Sequence, residues 1–366
     1  MPLRCINHNS ENIQSFDLSD DEWMQLKFEN KKSNNLKMPC CNADLVLKQS
    51  RLGTRFFAHK TKGTCLTSPE TEEHQYLKHA VIISARKNSW TAQSEVTGKT
   101  PSGEEWRADI LATKGKYKVA VEIQWSSQTN EETFIRQERY KQSGIRCLWL
   151  FRQPGFPIAK DLPAVCIGGD LKEGFMIFMG KKQMKSQDKK HLHRWEQHIS
   201  LNKFLDAVFN QRFQFISFLD ANIDMSLRAI KCKCYHCKTL NTQIAPIEFN
   251  IIFKHGYHIK KSFQHFVNLK CNSEIESMFL NKIPKKTQFG SLKIKKKTNG
   301  IGKNYLSNIC SNCGMYIDEA LIIDYKLIER GGYKSFPPIF QSSFKATKNW
   351  RNALKRIDWN DHWRII

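Results

Sequence analysis

Hydrophobic and polar positions along the middle of the chain read as a short series of alternating elements. Residues 70–87 follow Ser68-Pro69 and open with Glu70, Glu72 and Glu73, a helix N-terminus whose carboxylates complement the dipole. Three strand-like runs come next, Trp90 to Thr97, Glu105 to Thr113 and Tyr117 to Gln124. Pro101-Ser102-Gly103 and Lys114-Gly115-Lys116 supply the turns between them. A helix from Glu131 to Ser143 stops at Gly144, and Ile145 to Phe151 forms a fourth strand. The order helix, three strands, helix, strand predicts a compact α/β unit with a mixed sheet. Further on, Leu201, Phe204, Leu205, Val208 and Phe209 recur at helical spacing and predict an amphipathic helix near 199–220. Trp350, Trp359 and Trp363, interleaved with Arg351, Lys355, Arg356 and Arg364, predict an amphipathic terminal helix that docks on the body.

At 366 residues the chain is long enough for two or three domains, and 40% hydrophobic residues suffice for a sizeable core. Composition divides it into an N-terminal Cys/His module (1–68), the α/β unit (69–178), a lysine-rich linker with the amphipathic helix (179–230), a cysteine-pair region around a lysine-rich insertion (231–320) and a basic, Trp-rich segment (321–366). The formal net charge is +23, and it is uneven. Residues 1–150 hold 22 basic and 18 acidic side chains, net +4, so the remaining 36 and 17 leave +19 for residues 151–366. The C-terminal part should therefore attract polyanions, nucleic acid first among them. No apolar signal segment opens the chain and no run of eighteen apolar residues occurs, so a soluble, cytoplasmic protein is expected. Twelve cysteines then read as thiols or metal ligands rather than disulfides.

Strand alternation puts Ala120, Glu122 and Gln124 on one face of their run, and Arg107, Asp109 and Leu111 on one face of the preceding run. If the two pair as a hairpin, Asp109 and Glu122 sit side by side. Two adjacent carboxylates repel unless a divalent cation holds them, and hard oxygen ligands favour Mg²⁺ or Mn²⁺. Such a metal activates water and stabilises a leaving phosphodiester oxygen. The same spacing also suits two solvent-facing carboxylates with no ion between them.

The motifs fall in a telling order: Glu70-Thr71-Glu72-Glu73-His74-Gln75-Tyr76-Leu77-Lys78, then Arg107-Ala108-Asp109-Ile110, then Val121-Glu122-Ile123-Gln124-Trp125-Ser126, then Phe134, Arg136, Tyr140, Gly144, Ile145, Leu148 and Trp149. This order resembles the PD-(D/E)XK nuclease superfamily and, more narrowly, the competence protein CoiA family, over about residues 30–155. The resemblance implies a restriction-endonuclease-like core (αβββαβ, mixed sheet) with a metal held by Asp109 and Glu122, Glu70 contributing from the helix. Gln124 stands where most of the superfamily has a water-positioning lysine, a glutamine that CoiA-like proteins share. It can orient water but brings no charge. His74 and Lys78, on one helical face with Glu70, are candidates to compensate, or simply an i,i+4 surface ladder. Arg136 and Tyr140, also i,i+4, are candidates for holding a phosphate or the sheet edge.

Cys234-x2-Cys237 and Cys310-x2-Cys313 read as two halves of a zinc ribbon, four thiolates for a structural, tetrahedral Zn²⁺. Cys232 offers an alternative ligand. Upstream, Cys41, His59 and Cys65, with Cys40 or Cys5, form a possible second zinc site, where CoiA-like proteins often have C-P-x-C and H-F-x-H. Met38 and Phe56 replace a cysteine and a histidine of that pattern here. Between the zinc knuckles, Lys285, Lys286, Lys293, Lys295, Lys296 and Lys297 crowd together with Phe279, Phe289 and Tyr305 nearby. Lysines neutralise phosphates and aromatics stack on unpaired bases, although such a run also suits a flexible solvated loop. The expected activity is metal-dependent DNA hydrolysis. The alternative is a non-cleaving DNA-binding accessory factor for recombination.

Overall fold

Arg4–Ile6 (β1) and Asn12–Gln14 (β2) form one antiparallel hairpin, and Leu45–Gln49 (β3) and Arg55–His59 (β4) form a second. Between them lies α1, Asp20–Ser33, opened by a capping box in which Ser19 and Glu22 each bond the other's backbone N–H. The computed structural model describes residues 2–51, 53–61, 70–179, 197–253, 256–263, 269, 272–287, 290–298, 304–317, 338–354 and 361–366. The chain forms two compact units, Met1–Phe215 with His362–Ile366, and Ile216–Asp361.

The first unit is built on a seven-stranded mixed sheet. Helix α2, Glu72–Lys87, starts at Thr71, whose hydroxyl accepts the His74 N–H. There follow β5 (Thr91–Lys99), β6 (Glu105–Lys114), β7 (Tyr117–Gln124), α3 (Asn130–Gln142), β8 (Arg146–Phe151), β9 (Ala164–Asp170), β10 (Gly174–Met179) and β11 (Gln197–Ser200). The strand order is β11-β10-β9-β8-β7-β6-β5. Pairs β7–β8 and β8–β9 are parallel, and the others are antiparallel. The expected helix, three strands, helix, strand is all present, and three further strands extend the sheet beyond β8.

Each face of the sheet carries its own core. Leu77 and Val81 of α2 pack with Ile110, Val121, Ile123, Leu148 and Leu150, joined by Leu3, Phe56 and Ala58 from the N-terminal hairpins. On the opposite face Tyr140 of α3 packs with Ala108, Ala120, Trp149 and Phe151. Helix α4, Leu201–Phe209, adds Phe204 and Leu205 to the first core. It ends well short of residue 220, because Gln211 takes a left-handed backbone (φ 62°) and Phe213–Ile216 (β12) continues as a strand paired with His362–Ile365. The expected terminal helix is reduced accordingly. Trp350 lies in a short helix, Lys348–Ala353, whereas Trp363 lies in the strand and stacks on Phe213, ring centres 5.1 Å apart. Trp359 and the expected linker at 181–190 lie outside the described residues.

The second unit holds a four-stranded antiparallel sheet of β13 (Asn222–Lys233), β14 (Leu240–Ile252), β15 (His258–Phe263) and Phe340–Lys345, with β13 and β14 at its centre. Strict alternation buries Ile223, Met225, Leu227 and Ala229 on one face of β13. The lysine-rich insertion is a ladder, not a bare loop. Ile294–Thr298 pairs with Asn304–Asn308. No described helix is long and apolar enough to cross a membrane.

Candidate active site and metal centres

The carboxylates gather where α2, β5, β6 and β7 meet. In β6 the side-chain alternation breaks at Asp109. Ala108 lies in the core under α3 and Ile110 in the core under α2, although a regular strand would put both on one face. Ladder pairs Ser94–Ile110 and Val96–Ala108 flank the break. Glu95, opposite Asp109 in β5, has φ 57°, a rare left-handed conformation for such a residue. The expected common face of Arg107, Asp109 and Leu111 is therefore not formed. The kink turns Asp109 toward α2, where its Oδ2 is 3.5 Å from His74 Nε2 and accepts the Ile123 N–H at 3.0 Å.

Lys78 lies at the centre of this group and is fully buried. Its ammonium donates to Glu70 Oε1 at 2.6 Å and to Glu95, and lies 3.2 Å from Asp109 Oδ1. Burial alone would lower the Lys78 pKa, but Asp109, Glu95 and Glu70 together hold it above its ordinary value. Burial would likewise raise the Asp109 carboxyl, yet Lys78 and then His74 keep it well below the usual carboxylate range. Glu95 is held low in the same way, against its burial, by Lys78 and Arg107, and Arg107 Nε lies 2.7 Å from its Oε2. Lys78 is thus an internal counter-ion and not the surface ladder its spacing allows.

Glu122 lies across the β6–β7 ladder from Asp109, next to the Ile110–Val121 pair, but turns the other way. Its carboxylate contacts Arg136 and the Tyr140 hydroxyl of α3, and that hydroxyl also donates to the Arg107 carbonyl at 2.9 Å. Burial, reinforced by the Asp109 charge, pushes Glu122 up to about 7 against the pull of Arg136 and Tyr140. Gln124 is fixed by its amide N–H to the Ser126 carbonyl (2.9 Å), with Arg136 Nη1 3.4 Å from its Oε1. Ligand atoms of Glu70, His74 and Asp109 lie within 4.8 Å of one another, a set suited to one cation. Glu122 is not in that set, so the expected trio of Glu70, Asp109 and Glu122 is brought to one site but not to one ligand cluster. A cavity of about 410 Å³ opens over the group, lined among others by Glu70, Glu95, Asp109, Arg107 and Arg136.

Two cysteine groups lie elsewhere. Cys234, Cys237, Cys310 and Cys313 converge, with Sγ–Sγ distances of 3.7 Å (Cys234–Cys313) and 3.5 Å (Cys237–Cys310). Four thiolates about 2.3 Å from a tetrahedral Zn²⁺ stand roughly 3.8 Å apart, so the donors fit that ion. The Thr239 hydroxyl and amide hold the Cys237 thiol at about 5, on the way to the ligating thiolate. Cys232 stays out of the group, with its thiol 3.5 Å from Gln243 Oε1. Near the N-terminus, Cys40, Cys41 and His59 cluster, with Cys41 Sγ 3.1 Å from His59 Nε2. Cys65 lies outside the described residues, and Cys5 is buried in the α1 core instead.

Residues 70–157 match the family model described as competence protein CoiA, nuclease-like domain. The chain carries a CoiA-like, nuclease-like domain. The match takes in α2 through β8 and all of the carboxylates, about a quarter of the chain. No curated protein matches the chain. Among solved structures, the crystal structure of a protein of unknown function, AF1548, is 14% identical, and the likeness covers 27% of this chain and 61% of that one. Its TM-score of 0.21 is too low to bear on the fold.

Within the CoiA-like domain, Glu95 is the member of the carboxylate cluster that motif reading missed. Glu95 is the one acidic residue of its strand, set between the small Ser94 and the apolar Val96, and that was the available signal. The lysines of the insertion are partly engaged: Lys296 Nζ lies 2.8 Å from Glu276, Lys293 donates to the Ser311 carbonyl at 2.9 Å, and Lys297 sits over the Tyr316 ring. Lys285, Lys286 and Lys295 are exposed.

Proposed function

We propose that the CoiA-like domain is a metal-dependent nuclease that hydrolyses DNA phosphodiesters on a restriction-endonuclease-like core, with the Cys234–Cys313 group as a structural zinc ribbon. The carrying observation is the convergence of Glu70, His74 and Asp109 within 4.8 Å under an open cavity. Two carboxylates and an imidazole suit Mn²⁺ better than Mg²⁺, because the imidazole nitrogen is a softer donor. A divalent ion bound there supplies Lewis acidity at the phosphate and lowers the pKa of a bound water. The residues of the chain do the positioning. Arg107 and Arg136 face the cavity as phosphate ligands, and Gln124, fixed through Ser126, orients the attacking water by its amide. Lys78 keeps Asp109 ionised and holds Glu70 in place through its 2.6 Å contact. The basic remainder of the chain, net +19 beyond residue 150, holds the polyanion by phosphate contacts.

One observation favours the second reading, a DNA-binding accessory factor that does not cut. Lys78, Arg107 and Arg136 already neutralise the acidic cluster, so the cluster holds together with no ion. Cleavage of labelled single- and double-stranded DNA with Mn²⁺ or Mg²⁺ separates the two, run beside Asp109→Asn and His74→Ala. Metal-dependent cutting abolished in Asp109→Asn supports the nuclease. Wild-type binding without cutting under any metal supports the accessory factor.

A further inference from the structure

The cavity over the carboxylates does not end there. A second cavity, of about 510 Å³, shares Glu95, Glu105, Trp106 and Arg107 with it and runs on to Arg4 and Cys40 of the N-terminal segment. Through these shared residues the two make one groove, with Glu70 and Asp109 at one end and Arg4 of β1 with Pro39 and Cys40 at the other. Three features of this extension point to an occupant.

Trp106 lines both cavities, at their junction. It lies across the strand from Gly98, where a Cβ would collide with the indole, so glycine at 98 gives the ring its seat. Arg4 Nε and Trp106 Nε1 are both buried, and neither has a hydrogen-bond partner among the described residues. Buried donors left unmade are costly, and each needs an acceptor. The extension also carries Arg4, Lys99 and Arg107 against Glu95 and Glu105. Both of these carboxylates are already engaged, Glu95 by Lys78 and Arg107 and Glu105 by Lys99 at 3.2 Å.

An aromatic platform, unmet donors and one cation, Arg4, beyond those that engage the carboxylates together match a strand of nucleic acid with unstacked bases. Duplex bases stack on one another and have no face to offer Trp106. We infer that the groove from the carboxylates past Trp106 to Arg4 is the path of a single DNA strand, with one base stacked on Trp106 and a phosphate oxygen taken by Arg4. The inference rests on the nuclease-like reading of the site and adds to it the strandedness of the substrate and the side on which the strand leaves.

The test is fluorescence anisotropy of a labelled oligo-dT strand and of a matched duplex, on the full chain with zinc retained and no added divalent ion. Trp106→Leu and Arg4→Gln are each expected to weaken single-strand binding about tenfold, the size of one lost stack, and to change duplex binding little. Trp106→Phe, which keeps a ring, should recover most of the loss, a rescue that a merely space-filling role would also give to leucine. Gly98→Ala, which displaces the indole while every groove side chain remains, should resemble Trp106→Leu. Unchanged single-strand affinity in both Arg4→Gln and Gly98→Ala would overturn the proposal, as would equal losses for strand and duplex. Cleavage is scored separately on the same proteins. Cutting retained with no groove effect removes this inference alone, and groove effects without any cutting remove the nuclease reading alone.

Discussion

The carboxylate cluster of the first unit and the four-thiol cluster of the second solve the same problem in opposite ways. In the first unit, four carboxylates crowd together, and the protein supplies its own counter-charges: Lys78 among Glu70, Glu95 and Asp109, Arg107 on Glu95, Arg136 on Glu122. In the second unit, Cys234, Cys237, Cys310 and Cys313 converge with neutral polar groups of Thr239, Asn241, Asn312 and the Met315 backbone around them. The difference separates a site where an ion is an addition for chemistry from one where the ion is part of the fold. A metal-free chain should keep the first intact and lose the second.

Removing the ion from the thiol cluster should have the largest effect. Structural zinc contributes on the order of 10 kcal/mol of binding free energy to folding. Cys310→Ala, or a strong chelator, should therefore make residues 216–361 sensitive to limited proteolysis while residues 70–179 stay protected. Equal protection of both would break the comparison. Next comes the internal counter-ion. Lys78→Met removes the shared counter-ion of Glu70, Glu95 and Asp109, leaving Glu95 to Arg107 and Asp109 to His74, and should destabilise the first unit by about 3–5 kcal/mol in urea unfolding. A change within a few tenths would mean that the carboxylates are not held by Lys78.

A third expected effect concerns Glu122 and pH. Its folded pKa of about 7 lies above the ordinary 4.5, so between these values the folded chain holds a proton that the unfolded chain has released. Stability should then fall as pH rises from about 4.5 to about 7, by on the order of 3 kcal/mol relative to Glu122→Gln, which has no such proton. Asp109 works in the opposite sense and in another window. Its lowered pKa contributes stability above the ordinary 3.8 that is lost only in stronger acid. The smallest effect is on binding. Lys285→Ala, Lys286→Ala and Lys295→Ala should each reduce the slope of log affinity against log salt by about one if that lysine meets a phosphate, with little change in stability.

Much of the first unit was legible in the amino-acid pattern. The expected helix of 131–143 is Asn130–Gln142, and Tyr117 to Gln124 is a strand to the residue, because capping residues, turns and alternation agree there. Strands β9 and β10 carry no comparable alternation. Ala164 to Ile167 is a continuous buried run, the mark of a strand covered on both faces, and periodicity does not separate that from other apolar segments. The four zinc-type cysteines were legible because their spacing reflects a local knuckle. The partners of the carboxylates were not. Helical spacing put Glu70, His74 and Lys78 on one face but did not say that this face is buried against Glu95. The kink at Asp109 belongs to the sheet and not to the strand's own residues.

The most direct measurement is electron paramagnetic resonance of Mn²⁺ titrated into the zinc-replete chain and into Asp109→Asn and Glu122→Gln. The geometry predicts one protein-bound Mn²⁺ per chain in wild type, loss of that binding in Asp109→Asn and retention in Glu122→Gln, whose oxygens are engaged by Arg136 and Tyr140. Binding in wild type that survives Asp109→Asn unchanged would contradict it, because the cation would then sit somewhere other than among Glu70, His74 and Asp109.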